Sequence, residues 1–265
     1  MYRFAFACAT LLSSSVVASP YAVEVVSYTP GTLPDALSSY TQADAALGRT
    51  NDFNPAFPDF DVPASIVTPF NATYTTDDLV AIGTGGSLVL RLDEPAGDAL
   101  GVHTGVGLND AAYPSGQTGP TALAYTGLRQ AGLRVSSDGV TFVDVAPSGT
   151  IFDVPTNVFA DAPGPYAETA GNVEADFSQP FFGTLSDFDN QDFAGVLDVL
   201  DGSAGGTWFD LSGTGLGEIN YVEFFVDEPG QTMVLDGVGV AGVVPEPATL
   251  GGLLVLGTLL LRRRA

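Results

Sequence analysis

Acidic side chains and one histidine are the groups in this chain that could do chemistry. The sequence has 31 Asp and Glu, one His and one Cys. A Ser-His-Asp triad would need His103 beside a nucleophile. The chain has no Gly-x-Ser-x-Gly motif, and one His cannot build a His-rich zinc site. We therefore interpret His103 as a loop or strand residue whose hydrogen bonds are satisfied and which has no catalytic role.

The acids occur in five groups that could place carboxylates side by side. These groups are Asp59/Asp61, Asp77/Asp78, Asp93/Glu94, Asp187/Asp189/Asp192 and Asp227/Glu228. A glycosidase needs two carboxylates roughly 5 to 9 Å apart across one sugar. With 31 acids, some pairs will meet that condition by chance, so no group is assigned a catalytic role. Trp208 and the nine Tyr could stack on sugar rings, but an isolated aromatic side chain is more often part of the core.

Calcium binding is the other chemistry that loop carboxylates allow, because calcium takes carboxylate and carbonyl oxygens as ligands. The segment Asp187–Asp192 resembles the start of an EF-hand loop. However, Asp192 replaces the Gly at the sixth position, and Asp198 stands at the twelfth in place of Glu. These departures exclude an EF-hand. A structural calcium elsewhere stays open, without assigned ligands, and the alternative is a solvated acidic surface that keeps the protein soluble.

The charge distribution excludes several classes of partner. The chain has no Lys, and four of its eight Arg lie at the ends, at positions 3 and 262–264. Residues 23–243 carry 30 acids and four Arg, a net charge of about −26. Nucleic-acid binding needs a positive face, and adhesion to anionic lipid needs basic residues, so we expect neither. An apolar fraction of 45% nevertheless predicts a folded domain with one core.

The segment that must position these side chains has the pattern of an all-β protein. Gly and Pro recur every few residues and the apolar runs are short, as in a sandwich or barrel. Ser87–Leu92 alternates, with three Leu on one face, after a Gly-rich turn at 83–86. A phosphate-binding turn would precede a helix, whereas a strand pattern follows here. We therefore predict strands on both sides of this turn.

Three further segments predict strands of the same domain. Asp138-Gly139, between the apolar runs 133–136 and 140–143, is typical of a tight hairpin turn. Glu218–Val226 is nearly apolar on both faces, as in a central strand. Met233–Val240 should be the strand that closes the domain.

Two short helices complete the predicted fold. One is near Pro34–Leu47 and the other near Asp189–Leu200, where apolar side chains recur at helical spacing. The predicted fold class is therefore all-β. It is a single jelly-roll-like β-sandwich over residues 23–243 with one or two short helices, together with an N-terminal signal helix and a C-terminal transmembrane helix.

The N-terminus has the three parts of a secretory signal peptide. Arg3 supplies the positive charge and Phe4–Leu12 forms the apolar stretch. A segment of small residues, which is typical of a cleavage site, ends at Ala18. Cleavage is expected after Ala18 or after Ala22. Val16-x-Ala18 is a good cleavage motif, and Pro20-x-Ala22 is a poorer one. Residues 1–22 are thus predicted to be a signal peptide, and the rest of the chain is expected to be exported across the inner membrane.

The C-terminus, residues 244–265, combines a proline motif, an apolar run and a basic end. Val244, Pro245, Glu246 and Pro247 precede a run of 14 mostly apolar residues, and Arg262, Arg263 and Arg264 follow it. As a helix the run is about 21 Å long, shorter than a hydrocarbon core of about 30 Å. The three Arg are expected to stay on the cytoplasmic side. These features favour a temporary stop in the membrane over a permanent anchor.

This tail closely resembles the PEP-CTERM sorting signal of Gram-negative bacteria. In that family a membrane-embedded protease, the exosortase, recognises the tail and cuts near Pro-Glu-Pro. The released protein then goes to the cell surface or to an exopolysaccharide matrix. The resemblance implies that exosortase and the export machinery are partners of this chain. It also implies that Val244–Pro247 is the sorting motif and that Arg262–Arg264 form the cytoplasmic stop.

The middle of the chain is similar to the galactose-binding-like or discoidin-like jelly-roll ectodomain of many PEP-CTERM proteins. The blocks that carry this resemblance are 67–71, 82–90, 135–142, 201–211 and 235–238. The chain departs from the pattern near 101–116, where such proteins have a longer Asp/Asn-rich segment. Because of this departure, no ligand site is assigned to this segment from the resemblance. The resemblance implies a non-enzymatic surface protein with a carbohydrate ligand, a structural calcium, or a purely structural role. A secreted polysaccharide hydrolase or lyase that uses paired carboxylates is the alternative.

Overall fold

Two antiparallel β-sheets packed face to face form the body of the protein. The computed structural model describes residues 19–56, 63–124 and 129–241. The five-stranded sheet contains, in spatial order, β1 (Ala22–Thr29), β5 (Gly86–Ala96), β10 (Ile219–Val226), β7 (Gln130–Ser136) and β8 (Val143–Ile151). The four-stranded sheet contains β4 (Val80–Gly83), β11 (Thr232–Ala241), β6 (Ala99–Thr104) and β9 (Thr207–Asp210). A separate two-stranded pair is formed by β2 (Phe53–Asn54) and β3 (Ser65–Ile66).

The main hydrophobic core lies between these two sheets. Leu88, Leu90 and Leu92 of β5 are at most 2% exposed, and they belong to one cluster with Leu100 and Leu235 of the other sheet. Full burial of one such side chain contributes about 1.5–3 kcal/mol. The predicted alternation in β5 and the predicted sandwich are therefore both confirmed.

Two other strand predictions are confirmed by the pairing, and the predicted hairpin is confirmed in part. Strands β7 and β8 are antiparallel neighbours around Gly139, whose φ is +73°. The turn is longer than predicted: the Asp138 carboxylate accepts hydrogen bonds from the N–H groups of Val140 and Thr141, both at 2.8 Å, and β8 begins at Val143 instead of residue 140. Strand β10 is central, between β5 and β7, and β11 lies between β4 and β6.

One of the two predicted helices forms. Helix α1 spans Phe193–Leu200, and the Asp192 side chain caps it by accepting a hydrogen bond from Gly195 N (2.8 Å). The predicted helix over 34–47 is wrong, because Asp35–Leu37 and Ala43–Ala46 are two separate 3₁₀ turns. Each turn buries one of its side chains, at positions 37 and 46, and the backbone between them is extended at position 42.

The predicted signal and sorting helices lie outside the residues that the structure describes. Within residues 19–56, 63–124 and 129–241, no helix has the length and apolar character that crossing a membrane requires.

The first described residues are part of the sandwich. Ser19 N donates a hydrogen bond to Asp93 Oδ2 (2.9 Å), and Asp93 N donates to Tyr21 O (3.0 Å). Val240 N, in β11, donates to Pro20 O (3.0 Å). The beginning of the domain therefore lies beside the end of its last strand.

His103 is a fully buried residue of β6, so it is a strand residue, one of the two alternatives that the sequence left open. Its Nε2 has no hydrogen-bond partner among the described residues, contrary to the expectation that its hydrogen bonds are satisfied. Its Nδ1 is 3.2 Å from Thr156 Oγ1, and its ring centroid is 4.9 Å from that of Phe177. Burial lowers the pKa of His103 from 6.5 to about 3. The imidazole is therefore neutral at neutral pH and packs as a core side chain.

Trp208 is also a core residue and does not offer a sugar-binding surface. Its side chain is 7% exposed, and its Nε1 donates a hydrogen bond to Gly205 O (2.8 Å). Gly101 of β6 is paired directly with Trp208 of β9. A Cβ at Gly101 would lie 2.5 Å from Trp208 Cε2, so the indole occupies the space that any other side chain would need.

We expect Gly101→Ala to destabilise the protein by about 1–3 kcal/mol, because the added methyl group overlaps the indole of Trp208. Urea unfolding followed by the fluorescence of Trp208, the only Trp, measures the change. Gly164→Ala is the matched control, since a Cβ there meets no atom within 4 Å. Unchanged stability of the Gly101→Ala variant would contradict the close contact between β6 and β9.

His103 is expected to stay neutral in the folded protein from pH 8 down to about pH 4, because its pKa is lowered to about 3. The unfolded chain binds a proton at His near pH 6.5. The free energy of unfolding therefore decreases as the pH falls from about 6.5 to about 3. As His103 is the only His, one imidazole proton resonance reports the titration by NMR. A folded-state midpoint near 6.5 would contradict its burial, and the urea-unfolded protein provides the reference.

Candidate functional site

Most of the residues predicted for processing lie outside the described part of the chain. This holds for Ala18, for the motif Val244–Pro247 and for Arg262–Arg264. Ala22 is described, and it is the first residue of β1, fully buried and paired with Leu92.

The acids of the segment 187–192 cap backbone turns. Asp187 Oδ2 accepts a hydrogen bond from Thr184 N (2.6 Å) in a reciprocal capping box. Asp189 Oδ1 accepts one from Ala122 N (2.6 Å), and the residue at 192 caps α1. Carboxylates in such positions stabilise local turns. Across the three described ranges, no group of three or more His, Cys, Asp or Glu side chains is placed to hold a metal ion.

Among the remaining acid groups, the pair Asp77/Asp78 lines a cleft of about 430 Å³, together with Asn51, Phe53–Pro55, Ala64 and Thr75. The pair Asp59/Asp61 lies outside the described residues. Asp93 accepts the hydrogen bond from Ser19 N, and the pair 227/228 is exposed at the turn after β10.

Tyr113, in the loop between β6 and β7, is an exposed aromatic side chain in a fixed position. It is 71% exposed, although large aromatic side chains contribute most when buried. The ring of Tyr166, in the long connection between β8 and α1, meets it edge-on, with centroids 5.1 Å apart and planes at 63°. The Tyr113–Pro114 peptide bond is cis. Tyr113 and Tyr166 together form what is called the tyrosine platform below.

Asp110 anchors the tyrosine platform to its loop. Its Oδ1 accepts hydrogen bonds from Ala112 N and Gln117 N, both at 3.0 Å. Its Oδ2 accepts from Gly116 N (2.8 Å) and from the Tyr166 hydroxyl (3.2 Å). Partial burial raises the pKa of Asp110, but these hydrogen bonds outweigh burial and hold the pKa below its ordinary value. One ionised carboxylate therefore fixes both loops.

The two loops also pack against each other and against the start of α1. Gly116 has φ +69°, and a Cβ there would lie 2.7 Å from Pro165 Cβ. Thr118 N donates a hydrogen bond to Gln191 O (2.9 Å), just before α1. The loop that carries Tyr113 is thus fixed by its own hydrogen bonds and packing, which reduces the entropy lost on binding.

This arrangement is suited to stacking against a flat, partly apolar molecule such as a sugar ring. A tyrosine offers an apolar ring face and a polar hydroxyl, and the same loop exposes the polar residues Asn109, Ser115 and Gln117. Sequence reasoning considered the nine Tyr as stacking residues but singled out none of them, because Tyr166 is distant in sequence from Tyr113. The available signal was Tyr113-Pro114-Ser-Gly, a turn that displays an aromatic residue.

Asp236 is a second residue that sequence reasoning did not single out as a site. It is 3% exposed, and its Oδ2 has no hydrogen-bond partner within the described part of the chain. Burial raises the pKa of Asp236 well above its ordinary value, and the negative charge of Asp78 adds to the rise. Buried carboxylates are normally paired with a cation or with hydrogen-bond donors. An unpartnered one is therefore unusual.

Comparisons with known proteins add little to these observations. No protein-family model matches the chain, and no curated protein matches it. A solved structure with some likeness is CBM32-1 from a family 31 glycoside hydrolase from Clostridium perfringens. The sequences are 9% identical, the match covers 73% of this chain and 89% of that chain, and the TM-score is 0.25. A likeness this loose carries no argument about what the present chain binds.

Proposed function

We propose that this chain is an exported, non-enzymatic surface or matrix protein whose β-sandwich binds carbohydrate on the tyrosine platform. The observation that carries the binding proposal is the Tyr113 ring, 71% exposed and held edge-on by Tyr166. Export and sorting rest on the sequence alone. Residues 1–22 have the pattern of a signal peptide, and residues 244–265 resemble the sorting tail that an exosortase processes in Gram-negative bacteria.

The negative charge of the domain indicates which class of carbohydrate it can bind. Residues 23–243 carry a net charge of about −26 and no Lys. Such a domain repels sulfated or uronic acid polymers at low ionic strength. Stacking on Tyr113 needs no charge on the ligand. The proposed ligand is therefore a neutral polysaccharide.

Tyr113→Ala is expected to weaken binding to a neutral galactan or glucan at least about tenfold, because the loss of a stacking partner of this kind costs about 1–3 kcal/mol when the stacked ring is a nucleobase. Tyr113→Phe keeps the ring and is the matched control, with binding within about threefold of the original. Affinity electrophoresis through gels that contain each polysaccharide, or alginate as the anionic comparison, measures retardation. Unchanged melting temperatures in both variants show that the fold is intact.

Equal binding by the original protein and the Tyr113→Ala variant would exclude the tyrosine platform as the binding site. The same polysaccharides also test the enzymatic alternative. Reproducible release of oligosaccharides, abolished by substitution of one acid, would replace the binding proposal with a hydrolase or lyase.

The hydrogen bonds at the start of the domain support cleavage of the signal peptide after Ala18. Cleavage after Ala22 removes the carbonyls of Pro20 and Tyr21, which accept hydrogen bonds from β11 and from position 93, and it also removes the buried Ala22 side chain. Cleavage after Ala18 leaves a new α-amino group on Ser19, whose N is 2.9 Å from Asp93 Oδ2. An ammonium at this place gains an ion pair with that carboxylate.

Peptide mass spectrometry of the surface-located protein is therefore expected to find Ser19 as its N-terminus and no peptide from the tail beyond the Pro-Glu-Pro motif. Precursor collected from cells without exosortase serves as the control and should keep Arg262–Arg264. A mature N-terminus at Val23 would contradict the argument from residues 19–22. An intact tail on all surface material would refute processing while leaving the carbohydrate proposal untouched.

A further inference from the structure

Strand β1 lies at the edge of the five-stranded sheet, and its outer side is open. It pairs with β5 on one side only. At its first residue, Ala22 O accepts a hydrogen bond from Gly48 N (2.9 Å). No described segment other than β5 makes a backbone–backbone hydrogen bond to residues 23–29. Because an edge strand leaves a row of N–H and C=O groups unpaired, these residues are able to form a ladder with one further strand.

Two β-bulges expose apolar side chains along this edge. The register with β5 shifts around Val23 and again around Val26, which are therefore the extra residues of the two bulges. The two residues are 38% and 47% exposed, respectively. Charged side chains, proline and bulges are the usual features that protect an edge from a further strand. Here each bulge adds an exposed Val, so the edge is apolar as well as unpaired.

The other three edges of the two large sheets are covered, short or interrupted. On β4, Ala81 N donates a hydrogen bond to Tyr40 O (2.8 Å), so the segment before β4 covers that edge. Strand β9 has four residues. Strand β8 contains Pro147, which has no N–H, and Gly149, whose φ is +89°. Strand β1, with eight residues and neither Pro nor Gly, is thus the edge best suited to accept a strand.

The edge is also locally neutral, although the protein is strongly acidic. Glu24 is the one charged residue of β1, and its Oε2 is 2.6 Å from Nε of Arg91 in β5. Residues 23–243 carry a net charge of about −26, so most surfaces of two copies repel each other. Two copies of β1 face each other without unpaired like charges, whereas a basic partner is attracted to the acidic remainder of the surface. The edge therefore fits a second copy of this chain.

We propose that the outer edge of β1 is a homodimer interface, in which β1 of one copy pairs antiparallel with β1 of a second copy. A two-fold axis relates the two strands, so each copy contributes the same residues and the assembly closes as a dimer. Val23 and Val26 of each copy then lie beside the partner strand and lose exposed apolar surface. One pair of eight-residue strands is a small interface, typical of weak, concentration-dependent association.

The dimer goes beyond the carbohydrate proposal and is tested without any polysaccharide. Under that proposal each dimer carries two tyrosine platforms, an arrangement that raises the avidity for a polymer with repeated binding sites when both platforms engage.

Sedimentation velocity of the purified protein over a range of concentrations tests the dimer. The dimer fraction is expected to rise with protein concentration. It should also rise between about 10 mM and about 0.15 M NaCl, because the Debye length falls from about 30 Å to about 8 Å and the repulsion between two acidic copies is screened.

Val26→Lys is expected to raise the dissociation constant of the dimer at least about tenfold, because it places like charges of the two copies close to the two-fold axis. The variant makes the net charge less negative, so stronger overall repulsion does not explain a loss of dimer. Val140→Lys is the matched control and keeps the dimer, since Val140 is 83% exposed in the turn after β7, at the other side of the sheet. Equal melting temperatures of the two variants show that both are folded.

Cross-linking gives a second measurement that does not depend on weakening the interface. Val26→Cys and Val140→Cys are each combined with Cys8→Ser, which leaves one Cys in the chain. A short bismaleimide is expected to join two copies of the Val26→Cys protein at concentrations where the dimer is populated, and to leave the Val140→Cys protein monomeric.

A monomer at every protein and salt concentration overturns the proposal. Dimerisation of Val26→Lys as strong as that of Val140→Lys, or equal cross-linking of the two Cys variants, assigns the contact to another surface and overturns it as well. A monomer whose Val26→Cys thiol does not react with maleimide shows that another segment of the same chain covers the edge, which equally excludes a second copy.

Discussion

The pairing of β11 along both of its edges is the interaction on which the rest of the sandwich depends. Its first half pairs with β4 and its second half with β6, so it alone joins β4 to the remainder of the four-stranded sheet. Both neighbours come from more than 100 residues earlier in the chain. The sheet is therefore completed only by contacts that close very long loops, which is entropically the most demanding step of such a fold. A β-bulge at Asp236 lies where the two halves of β11 meet.

Elements that depend on local pattern could be predicted from the sequence. The alternation of Leu88, Leu90 and Leu92 and the apolar strand predicted over 218–226 each carry their own signal and form as expected. The turn at Asp138-Gly139 forms at the expected place but is longer than predicted, because β8 begins only at Val143. The segment 34–47 has helical spacing too, but it is divided into two 3₁₀ turns that each bury one side chain against the sheets. Spacing alone does not reveal where tertiary contacts interrupt a helix.

The candidate sites could not be predicted in this way, because each joins segments that are distant in sequence. The role of Tyr113 depends on its contact with Tyr166 and on the hydrogen bond between Tyr166 and Asp110. Asp236 is distinguished from the other acids by its burial. Neither feature follows from local sequence. Because acids are abundant in this chain, their positions in the sequence do not indicate which role each of them has. Hydrogen bonds from Thr141, Val173 and Ser212 lower the pKa values of Asp138, Asp161 and Asp210, respectively. Many carboxylates of this chain thus stabilise turns, and their number says little about catalysis.

The same strand arrangement places the ends of the domain and the start of the loop that carries Tyr113 at opposite ends of β6. Strand β6 runs antiparallel to β11, with Ala99 beside Ala241 and Thr104 beside Leu235. The chain enters the domain at residues 19–22, next to Val240, so both ends lie at the Ala99 end of β6. The loop that carries Tyr113 leaves β6 at its other end, after Thr104. A tether at the ends of the domain, as the sorting proposal requires, would therefore attach at the end of β6 opposite to the one where the loop that carries Tyr113 begins.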